Sequence, residues 1–162
     1  VLPEQIDKSY EVMIETTQEL SEYARAKNIS LLIENNVLSP LSKKENQSSP
    51  ILLNHYSELK RFIKDVDRKN VKLLLDFGHA KVSAQAHKID PNEYVEQLSD
   101  YISCFHLSDN NGVIDSNEVI HEDTWFLKHL SAFKEKEMVL EIYNLGTEEI
   151  KSQIQLIQSS LG

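Results

Sequence analysis

Ionisable side chains stand at the ends of four short apolar segments that are spread along the sequence. The segments read LLIENN, LLLDFGHA, CFHLSDNNG and VLEIYN, and each changes abruptly from apolar residues to carboxylates or imidazoles. The candidate functional residues in them are Glu34, Asp76, His79, His106, Asp109 and Glu141. Carboxylates and imidazoles are the usual groups of general acid–base catalysis and of divalent metal binding, so the segments predict a site for one of these chemistries.

Helical and strand patterns alternate along the chain and would position these residues. The predicted order is αβαβαβαβα, with strands in ISLLIENN, VKLLLDFGHA, ISCFHLSD and MVLEIYN. A polar loop is predicted at residues 39–50, and Thr147 is predicted to cap the last helix. Alternation of this kind is typical of a parallel sheet covered by helices, so the sequence predicts an α/β fold.

The carboxyl ends of parallel strands meet at one rim, so the four segments are predicted to present their side chains around one mouth. Three carboxylates that face one point repel each other, and burial strengthens the repulsion. A divalent cation relieves it, and three carboxylates with one imidazole suit Mn²⁺, Mg²⁺, Co²⁺ or Zn²⁺. The predicted ligands of one such ion are Glu34, Asp76, His106 and Glu141. A bound ion would acidify the carbon between a carbonyl and a hydroxyl of a substrate, and two carboxylates on opposite sides could transfer the proton.

With these four motifs in this order, the sequence resembles the xylose-isomerase-like TIM-barrel superfamily of sugar isomerases and epimerases. That superfamily also includes inosose dehydratases and metal-dependent apurinic endonucleases. The motifs look like the ends of strands five to eight of a parallel (β/α)8 barrel. Because a complete barrel needs roughly 250 residues, residues 1–162 are predicted to be a single domain that forms the C-terminal half of such a barrel.

The resemblance also implies a role for each candidate residue. In the ketose epimerases of this group, the residues that match the four predicted ligands bind one divalent metal. Those that match Glu34 and Glu141 also form the acid/base pair, and the one that matches His79 contacts a substrate hydroxyl. The predicted function is therefore that of a metal-dependent isomerase or epimerase, whose partner is a small-molecule sugar or sugar phosphate.

Two alternatives to this function remain open. The first is an abasic-site endonuclease or phosphodiesterase of the same superfamily. Those nucleases have an aspartate-x-histidine pair after the third strand, whereas the matching stretch here reads Asp115-Ser116-Asn117, and the net charge of −9 disfavours nucleic acid. The second is an inactive fragment or a binding domain. Asp115 and Asn117 are interpreted as loop residues, and Asp109 as either a partner of a metal ligand or a loop residue.

A half barrel leaves two open sheet edges, which favours pairing with further strands. We expect these strands to come from an N-terminal half in a longer chain, from a second copy in a homodimer, or from another chain. No apolar run approaches the ~20 residues that cross a bilayer, so no membrane partner is expected. The one cysteine, Cys104, excludes an internal disulfide and favours a reducing, cytoplasmic location.

Overall fold

The computed structural model describes residues 3–42 and 51–162 of the chain. Residues 43–50 of the polar loop predicted at 39–50 lie outside the described residues. The helices are α1 (Pro3–Arg25), α2 (Tyr56–Val66), α3 (Phe77–His87), α4 (Asn92–Leu98), α5 (Leu127–Leu130), a 3₁₀ turn (Ser131–Phe133) and α6 (Thr147–Leu161). The strands are β1 (Leu31–Glu34), β2 (Val71–Asp76), β3 (Ile102–Leu107) and β4 (Glu137–Leu140). Within the described ranges, no helix is both long enough and apolar enough to cross a lipid bilayer.

The four strands form one parallel sheet in the order β1-β2-β3-β4, which confirms the predicted parallel α/β fold. Parallel strands need a connection that returns the chain to the end of the sheet at which the strands begin, and helices provide it here. The chain returns through α2 between β1 and β2, through α3 and α4 between β2 and β3, and through α5 between β3 and β4. Strands that follow each other in the chain are therefore neighbours in the sheet, as in the wall of a (β/α) barrel.

The two faces of the sheet differ in burial. On β2, the side chains of Val71, Leu73 and Leu75 are at most 2% exposed and belong to the hydrophobic core, to which α2 and α4 also contribute. Leu32 on β1 and Val139 on β4 lie on the opposite face and are 37% and 48% exposed. Because side chains alternate between the faces of a strand, one face packs in the core while the other is partly open to solvent.

The end of β2 differs from the sequence prediction, which extended this strand through FGHA. The strand ends at Asp76, and Phe77 is the first residue of α3. Asp76 caps this helix, because its Oδ1 accepts a hydrogen bond from the main-chain N–H of His79 at 2.7 Å. The single helix predicted between β2 and β3 is wrong, since both α3 and α4 lie there. Phe77 and Ala80 are fully buried, which explains why the apolar pattern alone did not separate helix from strand.

The other strands are also shorter than the predicted segments. β4 ends at Leu140, so Glu141 lies directly after the strand and not within it. At the start of α6, the N–H of Gly146 donates to the Glu149 carboxylate at 2.7 Å, and Gly146 is the N-cap in place of the predicted Thr147. The last paired residue of β4 is therefore Leu140, and one further main-chain hydrogen bond joins the N–H of Glu141 to the oxygen of Leu107 at 3.1 Å.

Gly78, the second residue of α3, lies against the end of β3. A Cβ atom added at this position would lie 2.7 Å from Ser108 Oγ and 3.2 Å from Asn110 Nδ2. We expect Gly78→Ala to lower the free energy of unfolding by roughly 1–3 kcal/mol, because overpacking forces buried neighbours apart. Gly146→Ala is the control, since its added Cβ meets only the flexible carboxylate of Glu149. Equilibrium unfolding in urea measures both, and equal changes in the two variants would contradict the prediction.

Candidate metal centre

The register of the sheet brings the four predicted ligands to the carboxyl ends of the strands and to one face of the sheet. Asp76 and His106 are paired directly across β2 and β3. Val139 is paired with His106, and Glu141 follows two residues later, so its side chain lies on the same face. Glu34 ends β1, and its partner on β2 lies two residues before Asp76, so Glu34 shares this face as well.

The imidazole of His106 lies at the centre of the group. Its Nδ1 is 2.9 Å from Glu141 Oε2, 3.1 Å from Glu34 Oε1 and 3.8 Å from Asp76 Oδ2. One ligand atom from each of the four residues lies within 4.8 Å of all the others. Ligand atoms on one ion at about 2.1 Å are at most about 4.2 Å apart, so a small contraction of this arrangement is sufficient for shared coordination.

Asp76 is the buried member of the group, and its surroundings indicate whether a cation fits. Its side chain is 1% exposed, whereas those of Glu34 and Glu141 are 39% and 37% exposed. Among the described residues, no donor is hydrogen-bonded to its Oδ2 atom, which is the atom that faces His106. A buried acceptor without a donor costs about 1–3 kcal/mol, and a divalent cation would supply the missing partner. The set of three carboxylates and one imidazole therefore fits the expected type of ion.

The protonation of Asp76 reflects the same burial. Burial raises the pKa of Asp76 to about 7. The charge of His79 and the hydrogen bond from its N–H lower this pKa, while the neighbouring carboxylate of Glu141 raises it. In the metal-free protein, Asp76 thus keeps its proton to a higher pH than an aspartate in an unfolded chain does. Metal binding would have to displace this proton, so affinity would increase as the pH rises.

His79 lies beside the group, with its Nδ1 3.9 Å from Glu34 Oε1. Nδ1 is hydrogen-bonded to the main-chain oxygen of Asn35 at 2.8 Å, and Nε2 to Asp115 Oδ2 at 3.0 Å. Because both partners are acceptors, both ring nitrogens carry protons. Burial lowers the pKa of His79, but Asp115, the charge of Asp76 and the Asn35 carbonyl together raise it to about 9. His79 is therefore a cation beside the carboxylates, and its contact with a substrate hydroxyl stays a prediction.

Two buried asparagines support predicted ligands, a role that the sequence pattern does not indicate for either of them. Asn35 is hydrogen-bonded to the main chain of Asp76, and Asn117, interpreted above as a loop residue, to the main chain of Glu141. Both partners are distant in the sequence, so no local pattern marks either amide. Only a known fold would have revealed these contacts.

Asp109 orders the loop that follows β3. Its carboxylate accepts hydrogen bonds from Lys81 Nζ at 2.6 Å, from the N–H of Asn110 at 2.8 Å and from Thr124 Oγ1 at 3.0 Å. Its main chain forms an antiparallel bridge with Glu118. None of these partners is a predicted metal ligand, so of the two interpretations of Asp109 the structure supports the loop residue.

Known proteins that are similar to this chain agree with the family that its sequence motifs resemble. A family model described as the xylose isomerase-like TIM barrel matches residues 1–159. No protein with a curated description matches the chain in sequence. Among solved structures, a D-tagatose 3-epimerase-like protein matches with a TM-score of 0.73 and 24% identity. A protein from Thermus thermophilus, soaked with zinc chloride, matches with a TM-score of 0.70 and 18% identity. The 3-keto-D-glucoside 4-epimerase from E. coli matches with a TM-score of 0.68 and 12% identity.

The matches cover nearly all of this chain but only part of each solved structure. They include 94%, 99% and 98% of this chain and 54%, 56% and 57% of the three solved chains, in the same order. The chain therefore spans about half the length of the structures it matches. At these identities the likeness shows the fold, and it confirms the prediction of half a TIM-type barrel. The assignment to the C-terminal half stays a prediction.

The raised pKa of Asp76 predicts that the metal-free protein loses stability as the pH rises. The folded state holds this proton more tightly than the unfolded chain, so the penalty is absent below about pH 4 and grows as the pH approaches 7. Asp76→Asn removes the charge and keeps an acceptor for the N–H of His79. We expect the variant to exceed the wild type in stability by roughly 2–4 kcal/mol at pH 8 and to equal it near pH 4.

Urea unfolding in the presence of EDTA, at both pH values, measures this difference. Glu15→Gln, a change at an exposed glutamate of α1, controls for the general loss of a negative charge. Adding Mn²⁺ at pH 8 should then stabilise the wild type more than Asp76→Asn, because the variant lacks a predicted ligand. A metal-free Asp76→Asn protein that is less stable than the wild type at pH 8 would contradict the prediction.

Proposed function

This chain belongs to the xylose isomerase-like TIM-barrel family, and we propose that it is a domain of a metal-dependent sugar isomerase or epimerase. The observation that carries the proposal is the meeting of three carboxylates, from separate strand ends, around His106 Nδ1. The residues that would hold one divalent ion are Glu34, Asp76, His106 and Glu141. Two of the solved neighbours carry an epimerase activity in their names, which supports the same class of reaction.

The two glutamates are the proposed proton carriers. A divalent ion bound to adjacent carbonyl and hydroxyl oxygens of a sugar would acidify the C–H bond between them. Glu34 ends one edge strand, β1, and Glu141 follows the other, β4, and both side chains are more than a third exposed on the open face of the sheet. One carboxylate would remove the proton as general base, and the other would return a proton to the adjacent carbon or to the opposite face. Asp76 is buried and caps α3, so it would serve with His106 only as a ligand.

The proposed substrate is a small-molecule sugar or sugar phosphate, with His79 as a contact for one hydroxyl. Both nitrogens of His79 already have acceptors, so a substrate hydroxyl would replace Asp115 at Nε2 or share it. The proposed setting is the cytoplasm, where Cys104, a buried free cysteine, would stay reduced.

Solvent deuterium exchange tests the proposed chemistry. The protein from its complete reading frame, loaded with Mn²⁺, is incubated in D₂O with a panel of ketoses and ketose phosphates, and NMR detects deuterium beside the carbonyl. We expect Glu34→Gln and Glu141→Gln to slow the exchange by about 100-fold or more, because each removes one acid–base group. Glu122→Gln, at an exposed glutamate after β3, is the matched control and should retain the wild-type rate.

Metal analysis of the same variants separates binding from catalysis. Wild-type metal content with wild-type exchange in both glutamine variants would remove the proposed roles. Incision of an abasic DNA duplex without sugar exchange would favour the endonuclease alternative instead.

Both edges of the described sheet carry exposed apolar side chains, and we propose that four further βα units cover them. Val139 and Ile154 line an apolar groove between β4 and α6 and are 48% and 42% exposed. At the other edge, Leu32 on β1 and Ile29 before it are 37% and 52% exposed. Edge strands also present main-chain groups that can pair with another strand. The solved neighbours are nearly twice as long, so we assign the additional units to the same reading frame.

A comparison of two proteins tests this assignment. Residues 1–162 alone are expected to turn over substrate at less than about 1% of the rate of the protein from the complete reading frame, because an incomplete barrel wall misplaces the substrate. Analytical ultracentrifugation of both samples gives their oligomeric states. If the protein from the complete reading frame is active as a monomer, the assignment is supported. Robust turnover by residues 1–162, as a monomer or as a homodimer, would contradict it.

A further inference from the structure

Asn117 lies in the loop between β3 and α5, is 4% exposed, and has a left-handed main-chain conformation with φ of 48°. Its Nδ2 donates a hydrogen bond to the main-chain oxygen of Glu141 at 2.9 Å. Its own main-chain oxygen accepts from the N–H of Tyr143 at 3.1 Å, and the N–H of Glu141 donates to Leu107 at 3.1 Å. These three hydrogen bonds hold the main chain on both sides of Glu141, which lies just beyond the end of β4.

Asn35 makes a comparable arrangement at another predicted ligand. It is 1% exposed and directly follows β1. Its Oδ1 accepts from the N–H of Asp76 at 2.7 Å, and its Nδ2 donates to the main-chain oxygen of Asp76 at 3.0 Å. The side-chain amide thus takes the place of a peptide group, and it continues the pairing of β1 and β2 beyond Glu34. The protein therefore uses a buried amide twice, each time against the main chain of a predicted ligand.

The loop that contains Asn117 is itself anchored near the predicted ligands. Two residues before Asn117, Asp115 Oδ2 is 3.0 Å from Nε2 of His79 on α3. One residue after it, Glu118 exchanges two main-chain hydrogen bonds with Asp109, at 3.0 and 2.7 Å. The loop is therefore fixed to α3 and to the end of β3, and Asn117 extends that support to Glu141.

We propose that Asn117 is a positioning residue that fixes the main chain of Glu141 for metal binding, an inference that rests on the proposed function. Glu141 needs such support because it lies beyond the last paired residue of β4, where its N–H is held by Leu107 of β3 and its main-chain oxygen by Asn117, while Glu34 and Asp76 repel its carboxylate. An amide suits the task, since it donates a hydrogen bond to a carbonyl and carries no charge. An aspartate in its place could only accept and would add a fourth negative charge.

Asn117→Gly is the decisive variant. Glycine adopts the left-handed conformation without strain, leaves the net charge unchanged and removes only the side-chain amide. Asn144→Gly is the matched control, because Asn144 is exposed and has a similar φ of 59°. The protein from the complete reading frame is titrated with Mn²⁺ by calorimetry, and its absorption spectrum is recorded with Co²⁺. We expect Asn117→Gly to bind Mn²⁺ about 10–100-fold more weakly and to change the Co²⁺ bands, while Asn144→Gly matches the wild type.

Thermal unfolding of the metal-free variants separates positioning from stability. A lower melting temperature of Asn117→Gly, with wild-type Mn²⁺ affinity and an unchanged Co²⁺ spectrum, would show a merely structural role and overturn the inference. If the wild type itself binds neither ion, the proposed function fails, and this inference fails with it. If the wild type binds and the two glycine variants bind equally well, only the positioning role of Asn117 is lost.

Discussion

Glu34, Asp76 and Glu141 repel one another around the imidazole of His106. This repulsion is the constraint on which the structure at the carboxyl ends of the strands depends. Two unit charges about 4 Å apart interact by roughly 4 kcal/mol at an effective dielectric constant of 20. This exceeds the net contribution of about 1 kcal/mol from an ordinary hydrogen bond. The repulsion decreases if a charge is removed or a cation is bound. The raised pKa of Asp76 is the first of these solutions, and a divalent ion would be the second.

The scaffold opposes this repulsion by fixing main chain in preference to side chains. The strand pairing holds the segments of Asp76 and His106 opposite each other. The amide of Asn35 holds the main chain of Asp76 from the β1 side, and the amide of Asn117 holds the main-chain oxygen of Glu141 beyond the last paired residue of β4. Asp76 divides its two oxygens between two tasks, because Oδ1 caps α3 while Oδ2 faces His106. One residue thus ends a strand, starts a helix and contributes to the site. Its orientation is coupled to the packing of α3 against β3.

The sequence predicts the four clustered candidate ligands and the parallel sheet because both depend on local patterns. Apolar segments that end in Glu34 or Asp76 identify strand ends, and parallel topology then places those ends together. The sequence does not predict that α3 begins at Phe77, since a buried helix and a buried strand are equally apolar over four residues. It also misses the roles of Asn117 and Asp115. Their partners lie in other elements, and only the folded loop brings them within hydrogen-bonding distance.

The open face of the sheet links the electrostatics of the site to the need for further strands. Glu34 and Glu141 are more than a third exposed, so water now screens the repulsion between them. A wall of additional βα units would remove part of this water and lower the local dielectric constant. The repulsion would then increase, and so would the stabilisation that a cation provides, because both scale inversely with the dielectric constant. The same closure would protect the deprotonated sugar of the proposed reaction from solvent. Covering the apolar edges and binding a cation would therefore be coupled energetically, since each would make the other more favourable.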